Sequence, residues 1–529
     1  MGIARKVAAV LGLCAVLAVV GVLEGEAWAA DGPAAGGAPA GQATIDSTPE
    51  RYYQGACNNA KGRMTGKYTG NSWTWHARYP MDGFIDAYLA TRDKAWLDAA
   101  AKYFDWNIGF LLTGPDGYQG WLGPVSGKPE QLGEHPIGDA IMIDPMVRFA
   151  ELVLKDEPSL AGTYGKQARA YVALAGKLMF EKWEKRGIWH EDGPYGVFTE
   201  WPWYYTEQEA DRWHAPPAGV RAITLPFNMQ VHWGIVAERL HRITGKKVWE
   251  DKALKLMNYL KSRLCLYKDH YTWNYWEPFG PWDIDPKNPQ AFRHWVGTHG
   301  YRDYQAGEVR LMAQAFHRGL TFDAEDMKRL VRTNTQVMWN GSLDDIKWNN
   351  SNAGAQKGAL GAIRLPSKPK GIFNRYAGAL WTGLVDFDPT VRKILERQLK
   401  PGTHQHAFYH NVTAKRPPSY DRHYAGEPAR VFDFPYSSCS TLMMATAIPS
   451  TVARGKRTVL ACMGRVPGEL TIDLYSADGT EKLREIGRSE RKARGYLNLT
   501  WDTGDAAPGN YRVRWSLKGE HRDFPITVQ

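Results

Sequence analysis

Cysteine is scarce: the chain has five in 529 residues, and Cys14 lies in an N-terminal apolar run. The other four, Cys57, Cys265, Cys439 and Cys462, make no CxxC and no Cys/His spacing that suggests zinc. Three disulfide pairings stay open beside four free buried thiols, because a chain this long can build a core without staples. Nucleotide signatures are missing as well. There is no Gly-x-x-x-x-Gly-Lys-Ser/Thr loop, no Gly-x-Gly-x-x-Gly between a strand and a helix, and no Gly-x-Ser-x-Gly elbow. After Leu23 no run is apolar for long enough to cross a bilayer.

What stands before that point reads as an export signal covering residues 1–29: Arg5-Lys6, the apolar run Val7 to Leu23, then Ala27-Trp28-Ala29 as a small-x-small cleavage site. The product is expected to be secreted or periplasmic, with no membrane span after processing. Cleavage removes two basic and two acidic residues, so the formal net charge of +10 survives it. That surplus suits an anionic partner. Scattered basic residues and export argue against nucleic acid. Residues 30–50, rich in Ala, Gly and Pro, read as a flexible linker.

Aromatic residues are abundant and unevenly placed. Of 22 Trp, 19 lie between Trp73 and Trp381. Most single rings read as core, but Trp201-Pro-Trp203-Tyr204-Tyr205 and Trp273-Asn-Tyr275-Trp276 are harder to bury completely. Flat faces with polar edges suit sugar rings.

From about Arg51 to Ser450 the periodicity is helical, at Asp98–Asp105, Ala168–Trp183, Val231–Arg242, Asp251–Leu264 and Gln305–Arg318. An internal repeat joins these helices. Thr91-Arg-Asp-Lys-Ala-Trp96-Leu-Asp-Ala-Ala100 matches Thr244-Gly-Lys-Lys-Val-Trp249-Glu-Asp-Lys-Ala253, and Tyr164-Gly-Lys-Gln-Ala168 echoes its end. The pattern predicts a helix ending at Arg92 or Gly245, a polar turn, and an aromatic and an alanine that pack the next helix back. After about Ala453 the period becomes two, in Thr458–Met463, Glu469–Tyr475, Tyr496–Trp501 and Tyr511–Trp515, with turns at Ala477-Asp-Gly and Ala507-Pro-Gly-Asn.

The repeated turn, the Leu225-Pro-Phe-Asn228-x-Gln segment and the Tyr/Trp-rich loop before Thr298-His299-Gly300 resemble the (α/α) toroid proteins that act on polysaccharides: uronate lyases, glucuronyl C5-epimerases and six-hairpin glycosidases. The resemblance implies a multidomain, mainly α chain, with a toroid catalytic domain over residues 51–450. Residues 453–529 are similar to the immunoglobulin-like β-sandwiches of secreted bacterial proteins. No cofactor or metal is expected.

The densest polar cluster runs from Arg293 to Tyr304. Thr298 is a candidate N-cap, placing His299, Arg302 and Asp303 on one first-turn face with Tyr301 beside them. The plain alternative is a capped helix with His299 held by Asp303. β-Elimination at a uronate needs its carboxylate neutralised, C5–H abstracted and O4 protonated. By analogy with the lyases, Asn228 and His232, four apart on one helix, would supply half of the catalytic group, and Arg293, His299, Tyr301 and Arg302 the other half. Trp73, Trp75, His76 and Arg78 would form a sugar platform, joined by Trp273, Tyr275, Trp276 and Glu277. The sequence departs from some toroid relatives, where an acidic pair precedes the Ser/Thr-His step; Val296-Gly297 stands there. A glycoside hydrolase remains open, since Asp82, Glu134, Asp139, Glu277, Asp283 and Asp303 could furnish two carboxylates. So does a non-catalytic glycan-binding surface protein. The expected partner is an acidic polysaccharide. His404-Gln-His406 has His-x-His spacing but no carboxylate fixed nearby in sequence.

Overall fold

The computed structural model describes residues 45–64, 73–114, 116–125, 128–200, 223–297, 299, 302–349, 351–353, 380–414 and 429–529. The segment expected to be an export signal, most of the expected linker, the aromatic run at 201–205, Thr298 and Tyr301 lie outside these residues, as do the side chains of Arg302 and Asp303.

Twelve helices are used below: α1 (Pro49–Met64), α2 (Trp73–Arg78), α3 (Met81–Thr91), α4 (Ala95–Ile108), α5 (Pro136–Glu151), α6 (Ala161–Leu174), α7 (Phe227–Thr244), α8 (Lys247–Ser262), α9 (Arg302–His317), α10 (Ala324–Arg332), α11 (Pro389–Gln398) and α12 (His404–Phe408). Every segment with helical periodicity is helical. Beyond Leu174, α6 widens into a π-turn over Ala175–Glu181 before one last α-turn at Lys182–Lys185.

The repeat is a turn device. Arg92 (φ 64°) and Gly245 (φ 69°) take the left-handed conformation after α3 and α7, each donating its N–H four residues back, to Tyr88 O and His241 O. The repeated threonines work alike: Thr91 Oγ1 donates to Ala87 O at 2.8 Å and accepts the N–H of Asp93, and Thr244 Oγ1 donates to Leu240 O at 2.6 Å and accepts that of Lys246. Trp96, Tyr164 and Trp249 then open α4, α6 and α8, with buried alanines at 100, 168 and 253 one turn on.

These returning helices let α3, α5, α7 and α9 run parallel. Asp82 and Asp86 meet Arg148 while Tyr88 and Arg92 meet Glu157; His232 meets Asp144 while Arg242 meets Glu151. Gly234 faces Leu311, and Glu238 meets Gln314 and Arg318. In each pair residue numbers rise together, so the four N-termini share one side. Late in the chain α12 packs against α3. Of the 16 residues of α5, only Arg148 is not buried, the signature of a helix enclosed on all sides.

Eight C-terminal strands follow: β1 (Leu442–Ile448), β2 (Thr451–Val452), β3 (Arg457–Gly464), β4 (Gly468–Ser476), β5 (Lys482–Arg491), β6 (Gly495–Asp502), β7 (Gly509–Leu517) and β8 (Glu520–Val528). They form two sheets, β1-β3-β6 and β2-β8-β7-β4-β5, antiparallel except for β2 beside β8. Pairing within these two sheets begins at Leu442, inside the stretch read from sequence as helical, which also holds short strand pairs such as Trp189–Asp192 with Tyr195–Phe198. Alternating Leu470, Ile472 and Leu474 meet Val513 and Trp515 in one apolar core that continues into the helices. Arg263 donates to Thr446 Oγ1 at 2.7 Å, and Arg522 to Cys265 Sγ at 3.1 Å. A short antiparallel hairpin before α9, Ile284–Asp285 with Asn288–Phe292, covers the free edge of β6. The Gln290 amide donates to Asn498 O at 2.9 Å and accepts the Asn498 N–H at 3.1 Å. Cys57, Cys265, Cys439 and Cys462 are free and buried, which decides between the two open readings. Among the described residues no helix is long and apolar enough to cross a membrane.

Candidate functional site

His135 opens α5: its Nδ1 accepts the Ile137 N–H at 3.1 Å, and burial lowers its pKa to about 3, keeping the ring neutral and able to accept. Two turns further on, Asp144 stands in an otherwise apolar stretch with its side chain 3% exposed. It binds Arg239 of α7, His232 Nδ1 at 3.2 Å and Arg310 Nη2 of α9 at 3.2 Å. Burial alone would push the Asp144 carboxyl up, but Arg239, the His232 hydrogen bond and Arg310 together hold it below the usual carboxylate range.

A second carboxylate lies alongside. Asp82 of α3 is 2.9 Å from Arg148, 3.2 Å from Arg78 and 3.8 Å from Arg310, and Arg148 reaches Asp86 at 2.6 Å. Burial again opposes ionisation of Asp82, and Arg78, Arg148 and Arg310 overcome it, so its pKa is lowered. Four guanidinium groups thus face three carboxylates across α2, α3, α5, α7 and α9. Arg310, whose side chain is 40% exposed, is the most open of them, and Arg78 Nε is buried without an acceptor among the described residues.

The sequence-predicted Asn228 and His232 sit in the first two turns of α7, on the side of this cluster. With Asp144 ionised, His232 carries its proton on Nδ1, which leaves Nε2 as the basic nitrogen. Among the described residues Nε2 has no hydrogen-bond partner, and the side chain keeps 12% of its surface exposed. Burial first, with Arg78 and Arg310 adding to it against Asp144, lowers the His232 pKa, so the ring is neutral at neutral pH. One turn earlier Asn228 is buried, with Oδ1 unpartnered among the described residues. An oriented neutral imidazole beside open guanidinium groups can take a proton from a carbon next to a carboxylate.

The other half of the predicted group is placed differently. His299 is fully buried, its Nε2 3.0 Å from Glu308 Oε1, and Trp273 Nε1 donates to the other Glu308 oxygen at 2.6 Å. Glu308 of α9 thereby anchors the loop that brings His299 in; the expected contact with the Asp303 side chain lies outside the described residues. Arg293 donates to Trp282 O at 3.2 Å. Arg302 is the first residue of α9.

The aromatic platform needs correction. Trp73, Trp273 and Trp276 are buried: Trp73 packs edge-on to Phe110, and Trp276 donates to Thr224 O at 2.6 Å. Glu277 is interior too, accepting from Asn274 at 2.7 Å near Arg263. None of the four offers a face to a sugar. Trp75 and His76 remain partly exposed on α2, Arg78 is tied to Asp82, and Tyr275 is half-buried against Tyr304 and His299.

No protein-family model matches this chain, and no curated protein matches it. Among solved structures it is similar to a family 76 glycoside hydrolase from a bovine Bacteroides thetaiotaomicron strain, at 14% identity and a TM-score of 0.27, over 44% of this chain and 42% of that one. It is also similar to a family 76 mannosidase from Bacteroides thetaiotaomicron VPI-5482, at 13% identity and a TM-score of 0.29, over 50% and 66%. A sugar epimerase from a ruminal bacterium matches at 13% identity and a TM-score of 0.33, over 69% and 86%. The chain therefore spans less than half the length of the first of these and 66% of the second. Likeness at this level bears on neither substrate nor reaction.

The remaining carboxylates are engaged inside the fold. Lys182 lies 2.7 Å from Glu134 and 2.6 Å from Asp139, whose pKa burial raises to about 6 against the pull of Lys182. Asp283 accepts from Thr224 and from the N–H groups of Phe279 and Gly280. Glu200, beside Arg293 and Asp283, is pushed up to about 7, chiefly by burial. His404 opens α12, and the His406 and His410 rings lie 4.3 Å apart; among the described residues no group of three or more His, Cys, Asp or Glu is arranged to hold a metal. Asp86, Asp144, Arg148, Arg239, Arg310 and Glu308 escaped the sequence reading. The available signal was charge inside apolar helix: Asp144 and Arg148, four apart, interrupt the run from Ile141 to Phe149.

Proposed function

We propose that this chain is an exported carbohydrate-active enzyme, with an (α/α) toroid over about residues 51–450 and an immunoglobulin-like β-sandwich at the C-terminus. In this reading it cleaves an acidic, uronate-containing polysaccharide by β-elimination. Four parallel helices, each followed by an outer return, and the contact of α12 with α3 support the toroid. The observation that carries the reaction is the Asp144–His232 pair with Nε2 left open beside Arg78 and Arg310.

The uronate carboxylate docks against Arg310 and Arg78, with Asn228 donating from its amide. His232 Nε2 takes the C5 proton, and the guanidinium groups stabilise the charge that develops on the carboxylate. The C5–H electron pair forms the C4=C5 bond as C4–O4 breaks, and O4 leaves with a proton from Tyr301, the residue just before α9. Hydrolysis asks for something else: an acid with a raised pKa facing an ionised partner. In the α3–α5–α7–α9 cluster the carboxylates are bound to arginine. Glu200, pushed up to about 7, is the one observation that favours the hydrolytic reading.

The test is a panel of uronate polymers followed in the near ultraviolet. Elimination creates an unsaturated, absorbing end. New reducing ends without absorbance would establish hydrolysis and overturn this proposal, and polymer left uncut, either epimerised or merely retained, would overturn it as well.

A further inference from the structure

A second concave surface lies on the outer wall, away from His232. It has a volume of about 590 Å³ and is lined by α6, its π-turn extension, the end of α7 and the start of α8. That is within the roughly 300–1,000 Å³ of small-ligand sites. Leu240 and Thr244 line it, and at 1.5 Å per residue they lie about 12 Å and 18 Å along α7 from His232, so this hollow is at the C-terminal half of the helix whose first turns carry Asn228 and His232.

Its chemistry is built from three features. Trp249 is half-buried, its ring resting on Phe180 at 4.7 Å between centroids. Opposite stands Gly176, where a Cβ would lie 3.9 Å from Trp249 Cζ2, so a glycine inside the π-turn leaves that part of the indole uncovered. π-Turns recur at functional sites. Around the rim Arg169, Lys177 and Lys246 are exposed and make no ion pair among the described residues, while the two acidic lining residues are engaged, Glu184 with Lys252 at 3.2 Å and Glu181 as acceptor from the Tyr118 hydroxyl at 3.0 Å.

The geometry points to a second glycan-binding site here, one that holds an acidic oligosaccharide by stacking a sugar ring on Trp249 and pairing its carboxylates with Lys177, Lys246 and Arg169. The inference rests on the proposed preference for acidic polysaccharide. It adds an anchoring point that takes no part in bond cleavage. A long polymer can engage both surfaces, while a short oligosaccharide at the reaction cluster leaves this hollow empty.

The experiment compares retardation of the full chain in native gels containing a polyuronate with near-ultraviolet turnover of short uronate oligosaccharides. Lys177→Glu with Lys246→Glu is expected to weaken retardation about tenfold, as two lost exposed ion pairs allow, with short-substrate turnover unchanged. Gly176→Gln, which fills the hollow without changing charge, should give the same loss. Lys456→Glu with Lys518→Glu, an equal charge change on exposed turn residues between the C-terminal strands, should leave retardation near the parental value. The site is overturned if both groove variants are retarded like the parent, if the control loses as much, or if a neutral dextran retards the parent equally. Cleavage of uronate polymers with unaffected groove variants sinks this site alone. Loss of retardation in a chain that cleaves no uronate upholds the site and sinks the proposed reaction.

Discussion

Asp144→Asn isolates one negative charge at the centre of the helical body. The amide is the size of the carboxylate, so packing changes little, but it keeps one acceptor where Asp144 offers Oδ1 to Arg239 and Oδ2 to His232 and Arg310, and its NH2 group faces a donor on the other side. What disappears is the charge that faces Arg239, Arg310 and His232 from a side chain only 3% exposed. Removing one partner of a buried ion pair destabilises by about 3–5 kcal/mol. Arg239 keeps Glu151 at 3.4 Å and Arg310 keeps water, which places this change at the lower end, about 3 kcal/mol. For a protein of this size that lowers Tm by roughly 5 °C. The pH dependence fixes the sign. The folded-state pKa of Asp144 is below its unfolded value near 3.9, so its stabilisation is fully present above about pH 5 and is lost as pH falls toward the folded pKa. Urea unfolding of parent and variant at pH 7 and in steps down to pH 3 should show a gap that closes in acid. An Asn variant as stable as the parent at pH 7, or a gap that widens in acid, would refute the reasoning.

His232→Gln should lower kcat on a cleaved polymer by about 100-fold or more while leaving Tm within a few degrees. Because burial lowers the His232 pKa, the acid limb of the parental kcat–pH profile should lie below the ordinary histidine value near 6.5, and a limb above it would count against His232 as the base. Glu308→Gln leaves one acceptor for two buried donors, Trp273 Nε1–H and the His299 ring, and should destabilise by about 2 kcal/mol in chemical unfolding. At the repeated turn, Gly245→Ala should cost about 1 kcal/mol, whereas Arg92→Gly should be neutral or stabilising by a similar amount, since Arg92 bears the left-handed strain and its pairing with Glu157 is largely exposed. Equal effects at the two positions would mean that φ does not govern them.

The parts of the fold legible in the sequence were those with a period or a repeat. Thr91 and Thr244 announced the inter-helix turns because one local hydrogen-bond pattern recurs there. β4 and β7 showed because each is covered on one face. β1 did not: Leu442 to Ile448 is buried on every residue and has no alternation to read, and the exposed, charged β5 looks like loop. The site divides in the same way. Asn228 and His232 were visible as polar residues four apart at a helix start. His299 was visible by type, but its burial against Glu308 depends on a contact nine residues on. The arginine–aspartate cluster is assembled from five helices, and only the three-dimensional register of parallel helices brings Arg78, Arg148 and Arg310 to the same carboxylates.

Gln290 has a consequence for protein engineering. By giving its amide oxygen to the Asn498 N–H and its amide hydrogen to the Asn498 carbonyl, one side chain stands in for a neighbouring strand along the rim of β6. The C-terminal sheets therefore borrow their protection against sticky self-association from a hairpin more than 200 residues away in the chain. Excised and grafted onto another scaffold, they would arrive with that rim bare, open to pairing with a second copy. A graft that carries residues 284–292 in trans, or places a charge or a proline on the rim of β6, restores what the excision removes.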